Sequence, residues 1–402
     1  AIMDPDGNLQ TTRQKHPELD AAMSLDIPTL SYPEALGEVF NKRFGIAVTG
    51  THGKSTTTSL LGLIWKKNMG WTIIAGTKIP QFGNTNFFTQ PAANGGEWAM
   101  IIEASEYKRQ FLNYHPDISI ITHIELDHLD YFKDEEDYIE AFRQFQNQTQ
   151  RVTILSGDDP GCQKLKDESK VQVWVYDDHF EITGPEEKWE VRSEESDSGD
   201  WWLVSGNLYK FPNIELKVPG KHILRDAHLA YIVGKLLQVP EEFLVKALES
   251  YSWAWRRMEV VGQTSGWNTL MSDYGHHPTE IELTLPAIQE RYPDKHLYVI
   301  FQPHQYSRTI ELLEGFKTCF DDVDTLVISD IYYSRDKQED VDAMPPEKLV
   351  EELRERYPDP IDGQGLENTA KIIKEHDREN DGVIYLLLGA GDVDNLRYKL
   401  LG

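Results

Sequence analysis

The segment TGTHGKSTT, from Thr49 to Thr57, lies between an apolar run and a stretch with helical spacing. Glycines in such a turn let backbone N–H groups approach phosphate oxygens, and the N-terminus of the following helix adds positive potential. The Lys54 ammonium can bridge the β- and γ-phosphates of a nucleotide, and the Ser55 hydroxyl can bind Mg²⁺. The segment therefore predicts an ATP site formed by Gly50, Thr51, His52, Gly53, Lys54, Ser55 and Thr56.

The strict form of this phosphate-loop pattern has a glycine five residues before Gly53, where this chain has Val48. A glycine-containing turn with a chance Lys-Ser pair is the alternative interpretation. The position of the segment between a strand and a helix favours a phosphate site.

The elements around this loop alternate in character. Short apolar, β-branched runs and amphipathic stretches follow one another up to Val175, an order that predicts a mostly parallel sheet flanked by helices. Between Asp177 and Lys217 the segments EITG, WEVRS, WWLVSGNLYKF and IELKV predict short antiparallel strands, with the acidic SEESDSGD as a solvated hairpin tip. A second cycle of strands and helices begins after Arg257, which gives an α/β chain with two parallel-sheet domains that meet near residue 255.

Composition limits the function classes. The 402 residues carry a formal net charge of -27, which disfavours general nucleic-acid binding because such a surface repels phosphate backbones. Only Cys162 and Cys319 are present, so no disulfide framework is expected. No apolar stretch approaches the ~20 residues that span a bilayer, and the first residues lack the apolar core of a signal peptide. We expect a cytoplasmic protein without a membrane partner, and the oligomeric state stays open.

The TGTHGKSTTT loop resembles the variant phosphate loop of the Mur ligase family. Four further motifs are similar to the branch of that family that joins L-alanine to UDP-N-acetylmuramate, and they occur in family order. They are IIEASEYKRQFL, THIELDHLD, SDYGHHPTE and FQPHQYSRT. The resemblance implies a P-loop-type central parallel-sheet domain with an antiparallel β insertion, then a Rossmann-like C-terminal α/β domain.

The resemblance also implies a reaction and its cofactors. ATP phosphorylates the lactyl carboxylate of the sugar nucleotide, and the amine of L-alanine then attacks the acyl phosphate. Catalysis of this kind depends mainly on positioning and on neutralising charge around the transferring phosphoryl oxygens. ATP, Mg²⁺, UDP-N-acetylmuramate and L-alanine are therefore the expected ligands.

Individual residues acquire expected roles through the matched motifs. Glu103 and His128 resemble the ligands of a second Mg²⁺, and Glu125 and Asp127 are expected to hold His128 or metal-bound waters. The expected ATP contacts outside the loop are His222, Asp226, Arg257 and Asp273, although Arg256 leaves the register of the arginine uncertain. The expected substrate contacts are His276, His277, His304, Arg308, Gly389 and Gly391, because an arginine fork suits an amino-acid carboxylate.

The chain departs from the family pattern in three places. Residues 1–43 resemble only the last part of an N-terminal UDP-binding domain, so we expect a truncated sequence with a central domain over 44–255 and a C-terminal domain over 256–402. His123 stands where many relatives have Asn, and Ile223 and Asp226 alter an Asn-rich segment on the adenine side.

Three alternative functions remain open from the sequence. A ligase that recycles whole murein tripeptides onto the same sugar nucleotide is the nearest. Folyl-polyglutamate synthesis shares the phosphate loop but does not account for YGHHPTE. A nucleotide-binding relative that has lost catalysis is the alternative of a different class, although Lys54, Ser55, Glu103, His128 and Arg308 together argue against it.

Overall fold

The computed structural model describes residues 17–65, 70–91, 98–184, 209–334, 336–357 and 359–402. Two compact units make up this part of the chain. The first unit runs to Gly76 and continues with Asn86–Asn213 and Ala227–Val245. The second unit contains Thr77–Thr85, Ile214–Asp226 and Lys246–Gly402. The three-domain division expected from the sequence stays a prediction.

A nine-stranded sheet forms the centre of the first unit, in the order β3-β2-β4-β1-β5-β6-β7-β8-β9. Strands β2, β4, β1, β5, β6 and β7 pair in parallel, whereas β8 and β9 add antiparallel pairs at one edge. Their bounds are β1 Phe44–Thr49, β2 Gly70–Ile79, β3 Thr85–Gln90, β4 Trp98–Glu103, β5 Ile118–Ile121, β6 Val152–Ser156, β7 Gln172–Val175, β8 His179–Thr183 and β9 Tyr209–Lys210.

The helices of the first unit pack apolar faces against this sheet. Asp134 caps one of them by accepting a hydrogen bond from the Asp137 amide. The helical spacing of this segment predicts an apolar stripe, and its residues Tyr138, Ile139, Phe142 and Phe145 are buried. The stripe packs into one cluster with Phe40, Phe111 and Leu155. The helices are α1 Pro17–Ser24, α2 Tyr32–Phe40, α3 Lys54–Trp65, α4 Glu135–Gln148, α5 Pro160–Gln163 and α6 Lys221–Leu236, whose first residues belong to the second unit.

The second unit has a six-stranded sheet in the order β10-β11-β15-β12-β13-β14, parallel except for β10. The strands are β10 Glu259–Gln263, β11 Thr269–Asp273, β12 His296–Phe301, β13 Thr325–Ile328, β14 Ile361–Asp362 and β15 Val383–Leu388. The helices are α7 Glu241–Glu249, whose residues up to Val245 belong to the first unit, α8 Pro278–Arg291, α9 Tyr306–Glu311, α10 Leu313–Phe316, α11 Gln338–Ala343, α12 Pro346–Leu353, α13 Leu366–Glu379 and α14 Arg397–Leu400. Strand β15 is buried along its whole length, as expected of a central parallel strand.

Two predicted elements are wrong, and others were missed. The segment IELKV is not a strand: its alternation buries Ile214 and Val218, but its residues join no sheet. The sequence predicts one helix from Thr309 to Phe320, whereas the structure has two helices, α9 and α10, separated at Leu312. WEVRS and most of WWLVSGNLYKF lie outside the described residues. Strands β2, β3, β10 and β14 were not predicted. Among the described residues no helix combines the length and the apolar character needed to cross a membrane.

Candidate functional site

The loop between β1 and α3 is held at the carboxyl end of the parallel sheet. The Thr51 amide donates to the His123 carbonyl at 2.8 Å, and the Thr122 amide donates to the Thr49 carbonyl at 3.0 Å. Gly50 has φ 133°, and a Cβ there would lie 2.8 Å from the His123 carbonyl oxygen. Only glycine fits this position. The loop lies at the sheet edge where α/β folds bind ligands.

Lys54 begins helix α3 and folds its side chain back over the loop. Its ammonium donates to the carbonyls of Gly50 and Thr51, the second at 3.1 Å, and lies 3.0 Å from a carboxylate oxygen of Glu106. An ammonium has three N–H donors, so these acceptors match its full capacity. The side chain is 17% exposed, and it is therefore held at the loop instead of extending into solvent.

Glu106 was not among the site residues predicted from the sequence. Its carboxylate is 2% exposed and joins Lys54 to His128, whose Nε2 lies 3.4 Å away. Burial raises the pKa of Glu106, but Lys54 and then His128 outweigh burial and hold that pKa below its usual range. Its position three residues after Glu103 in the motif EASE was the available signal.

His128 occupies a strained backbone position. Its φ is 57°, a left-handed conformation that non-glycine residues adopt at a cost of about 1–3 kcal/mol. The Asp127 carboxylate accepts from the His128 amide at 2.6 Å, and the Tyr107 ring packs against the imidazole with centroids 4.7 Å apart. Such strain is found at functional sites, and here it directs the imidazole toward Glu106.

Ser55 and Glu103 lie side by side at the same edge. The Ser55 hydroxyl donates to Glu103 Oε1 at 3.0 Å, and the Gly76 amide donates to Glu103 Oε2 at 2.5 Å. A hydroxyl beside a carboxylate is a donor set that a hard cation such as Mg²⁺ accepts. The described residues therefore fit the predicted metal, with Ser55 and Glu103 as the side chains that would hold it.

Two histidine–carboxylate pairs line the loop. His52 Nε2 lies 3.2 Å from Glu125, and His123 Nε2 lies 3.2 Å from Asp159. Asp127 lies within 4.0 Å of His128, as expected, whereas Glu125 pairs with the phosphate loop itself. The Asp159 carboxylate also accepts from the Ile124 amide, so the pair with His123 fixes the chain that follows β5.

The predicted substrate residues of the second unit follow the carboxyl ends of its parallel strands. His276 and His277 come after β11, and His304 and Arg308 come after β12. The rings of His276 and His304 have centroids 6.2 Å apart, and His304 stacks on Tyr332. His277 also caps α8, since its side chain accepts from the Thr279 amide. The sheet thus brings the histidines of two motifs together.

A buried glutamine organises the same edge. Gln302 donates to Asp330 at 2.6 Å and to Asp392 at 2.8 Å, and it accepts from the Val393 amide at 2.8 Å. Gly391 packs against this amide group, which a Cβ would displace. Asp330 and Asp392 were not predicted as site residues; they lie two and four residues beyond the ends of β13 and β15.

The two neighbouring arginines differ in burial. Arg256 is 6% exposed, donates to the Gly389 carbonyl and lies 4.0 Å from Asp394. Arg257 is 26% exposed and lies 3.8 Å from Glu280. Arg256 therefore links the segment before β10 to the turn after β15, and Arg257 is the more accessible of the two arginines.

The remaining predicted nucleotide contacts are largely enclosed in the second unit. Asp273 accepts from the amides of Met258 and Gly275, each at 2.7 Å, and burial raises its pKa. Burial lowers the pKa of His222 to about 4, so this imidazole is neutral near pH 7. Asp226 is buried on α6. Their contacts with ATP stay predictions.

A phosphate loop at the carboxyl edge of a parallel sheet, with an ammonium, a hydroxyl and carboxylates around it, defines a nucleotide-binding α/β protein. Residues 48–234 match the Mur ligase middle domain, and residues 256–391 match the Mur ligase glutamate ligase domain. The chain belongs to the Mur ligase family, as its motifs predicted.

Relatives agree with this assignment, and solved structures agree with the fold. The chain is 33% identical to the UDP-N-acetylmuramate–L-alanine ligase of Clostridium botulinum strain Hall over 94% of its own length and 80% of that relative. It is also 33% identical to the enzyme of that name from Salinibacter ruber, over 98% of this chain and 79% of the relative. The structure of the UDP-N-acetylmuramate-alanine ligase of Thermotoga maritima has a TM-score of 0.70 at 20% identity, covering 96% of this chain and 82% of that one. The murein peptide ligase of Psychrobacter arcticus has a TM-score of 0.61 at 17% identity, with coverage of 96% and 83%, so it bears on the fold alone.

Proposed function

We propose that this protein joins L-alanine to the lactyl carboxylate of UDP-N-acetylmuramate, with ATP as the energy source. The observation that carries the proposal is the linked set of Lys54, Glu106 and His128 beside Ser55 and Glu103 at the end of the sheet. Relatives at 33% identity that bear this activity in their names support the choice of substrates.

The reaction needs an activated carboxylate, because a free carboxylate has no adequate leaving group. In the proposed first step the carboxylate oxygen attacks the γ-phosphorus of ATP, the bond to the β-phosphate oxygen breaks, and ADP leaves. In the second step the amine of L-alanine attacks the carbonyl carbon of the acyl phosphate. The C–N bond forms, phosphate leaves and the amine gives up its proton.

The residues of the first unit serve the phosphoryl transfer. Backbone amides from Gly50 to Gly53 cradle the phosphates, and the Lys54 ammonium neutralises charge at the β–γ bridge. Ser55, Glu103 and His128 would hold Mg²⁺, which supplies further positive charge to the phosphoryl oxygens when bound. His128 is an unusual ligand for so hard a cation, so Ser55 and Glu103 carry most of this assignment.

The second unit serves the amino acid. Arg308 offers a planar fork for the carboxylate of L-alanine, and His276 and His304 flank the same strand ends. The Gly389–Gly391 turn contributes backbone amides there. Two buried, unpaired cysteines accord with the cytoplasmic location expected from the sequence, which also stays a prediction.

The test is a substrate comparison with the purified chain. ATP, Mg²⁺ and UDP-N-acetylmuramate are mixed with L-alanine or with murein tripeptide, phosphate release is followed, and the product mass is measured. We expect release that depends on every component and a product with one added alanine.

Matched variants separate the phosphate loop from general damage. Lys54→Ala should abolish release, whereas Lys42→Ala, an exposed lysine at the opposite end of β1, should leave it unchanged. Activity with tripeptide alone would replace the substrate assignment, and a fully active Lys54→Ala would overturn the phosphate-loop assignment.

A further inference from the structure

No step of the proposed reaction gives Glu106 a task of its own, although its carboxylate is buried beside the phosphate loop. Its oxygens lie 3.0 and 3.1 Å from the Lys54 ammonium and 3.4 Å from His128 Nε2. A buried anion is costly unless it keeps a partner, and here Lys54 and His128 share that role. Glu106 therefore sets the positions of both.

The hydrogen bonds of Lys54 show what a nucleotide must displace. Its three donors are matched by the Gly50 carbonyl, the Thr51 carbonyl and Glu106. A triphosphate that reaches this ammonium must take at least one of these bonds, and Glu106 is the acceptor with a negative charge. Carboxylate and phosphate therefore compete for the same cation.

The bond to His128 does not face this competition. A carboxylate that accepts from one ring nitrogen leaves the other nitrogen available and fixes the direction of the ring, as carboxylates behind metal-bound histidines do. The strained His128 backbone and the packed Tyr107 ring restrict the imidazole further. Glu106 thus retains one partner when it releases the other.

We propose that Glu106 is a positioning residue that exchanges partners, holding Lys54 and His128 in the empty site and His128 alone once a triphosphate has taken Lys54. The inference rests on the proposed function, in which Lys54 binds phosphate. It has an unusual consequence, since removal of the charge should tighten nucleotide binding while it slows turnover.

The experiment compares Glu106→Gln with the wild-type chain in two assays. ATP affinity is measured by calorimetry in EDTA, and kcat is measured with Mg²⁺ and both substrates. Loss of the competing charged hydrogen bond should tighten ATP binding about tenfold. Loss of the support behind His128 should lower kcat by about 10- to 100-fold. A purely structural role would leave ATP affinity unchanged or weaken it.

The matched control is Asp117→Asn. Asp117 is another buried carboxylate of the same sheet, where it accepts from the Gly45 amide and pairs with Arg151 at the opposite end of β1. This variant should not tighten ATP binding. In the Lys54→Ala background, Glu106→Gln should also bring no tightening, because the contested cation is gone.

The outcomes separate the inference from the proposed function. If wild type binds ATP and Lys54→Ala binds it weakly, a Glu106→Gln chain with unchanged or weaker affinity overturns the exchange alone. Tightening in Asp117→Asn or in the Lys54→Ala background overturns it as well. Failure of the wild type to bind ATP overturns the proposed function itself. Should Glu106→Gln not fold, Glu106→Asp retracts the charge by one methylene and should still tighten binding, though less; no tightening overturns the exchange.

Discussion

Arg256 and Arg257 are neighbouring arginines whose replacement by alanine should impair different properties of the protein. Both guanidinium carbons lie 5.0 Å from the Tyr274 ring centre, so the two arginines share this aromatic contact, and Arg256 also lies 5.6 Å from the Trp255 ring centre. They differ in exposure, 6% against 26%, and in partners. We expect Arg256→Ala to reduce stability and Arg257→Ala to reduce activity.

The magnitude for Arg256 follows from its contacts. The variant removes a charged hydrogen bond to the Gly389 carbonyl, worth about 1.5–3 kcal/mol. Asp394 keeps Arg397 and Ser272, so the larger cost of about 3–5 kcal/mol for an abandoned buried charge does not apply. A loss of roughly 2–3 kcal/mol should lower the unfolding midpoint of a unit of this size by roughly 5–10 °C.

For Arg257 we expect a small effect on stability and a large effect on activity. Its ion pair with Glu280 spans 3.8 Å at a partly exposed position, so truncation should cost no more than about 1 kcal/mol of stability. If the guanidinium contacts a transferring phosphoryl group, its loss should lower kcat by about 10²- to 10³-fold. Arg257→Lys keeps the charge and should retain part of the activity.

Thermal unfolding and phosphate release, measured on the same preparations, decide between the two residues. The reasoning fails if Arg256→Ala keeps its unfolding midpoint but loses turnover while Arg257→Ala stays fully active. That result would assign the ligand contact to the buried arginine.

Further expectations concern single side chains. Lys54→Ala should lower the unfolding midpoint as well as turnover, since Glu106 loses its nearer cation. The double variant Lys54→Ala/Glu106→Gln should recover the midpoint but not the turnover. An unchanged midpoint in Lys54→Ala would contradict a stabilising ion pair between Lys54 and Glu106. Asp377 accepts four hydrogen bonds from the β10–β11 turn. Asp377→Ala should therefore reduce the free energy of unfolding, measured in urea, by roughly 3 kcal/mol. A loss below about 1 kcal/mol would mean that water replaces these hydrogen bonds. His222 has a pKa of about 4 when folded and 6.5 as the reference value, so the unfolded chain binds the extra proton between these values and stability falls as pH drops through that window. His222→Gln should remove up to roughly 3 kcal/mol of this fall, and equal pH slopes would refute the assignment. Arg308→Lys should raise the KM for L-alanine more than tenfold, by about 1.4 kcal/mol or more, without changing the KM for ATP; equal changes would argue against a carboxylate contact.

The order of elements was largely readable from the sequence. The apolar stripe of α4 and the buried runs of β1, β5 and β15 have clear periodicity, because one face or both faces must leave water. Strand β2 was missed because GWTIIAGTKI mixes glycine and lysine into an apolar run. IELKV was misassigned because alternation reports which side chains are buried and not whether a neighbouring strand exists.

The candidate site also has a part that the sequence predicts and a part that depends on the fold. The ten residues of the phosphate loop are adjacent in sequence, so their types and order predict phosphate binding without knowledge of the fold. The position of Glu106 in the motif EASE was a signal in the sequence, but its contacts with Lys54 and His128 follow only from the fold. The same limit applies to Gln302, whose partners Asp330 and Asp392 lie 28 and 90 residues away.

The sequence alone determined the loop chemistry, the α/β class and the family, since each depends on short stretches of adjacent residues. Tertiary structure decided which carboxylates face the loop. Strands β1 and β4 pair in parallel with Val48 opposite Glu103, and this register places Glu103 against Ser55 and Glu106 against Lys54. Pairing between distant strands follows from the packing of the whole sheet, so no local pattern contains it.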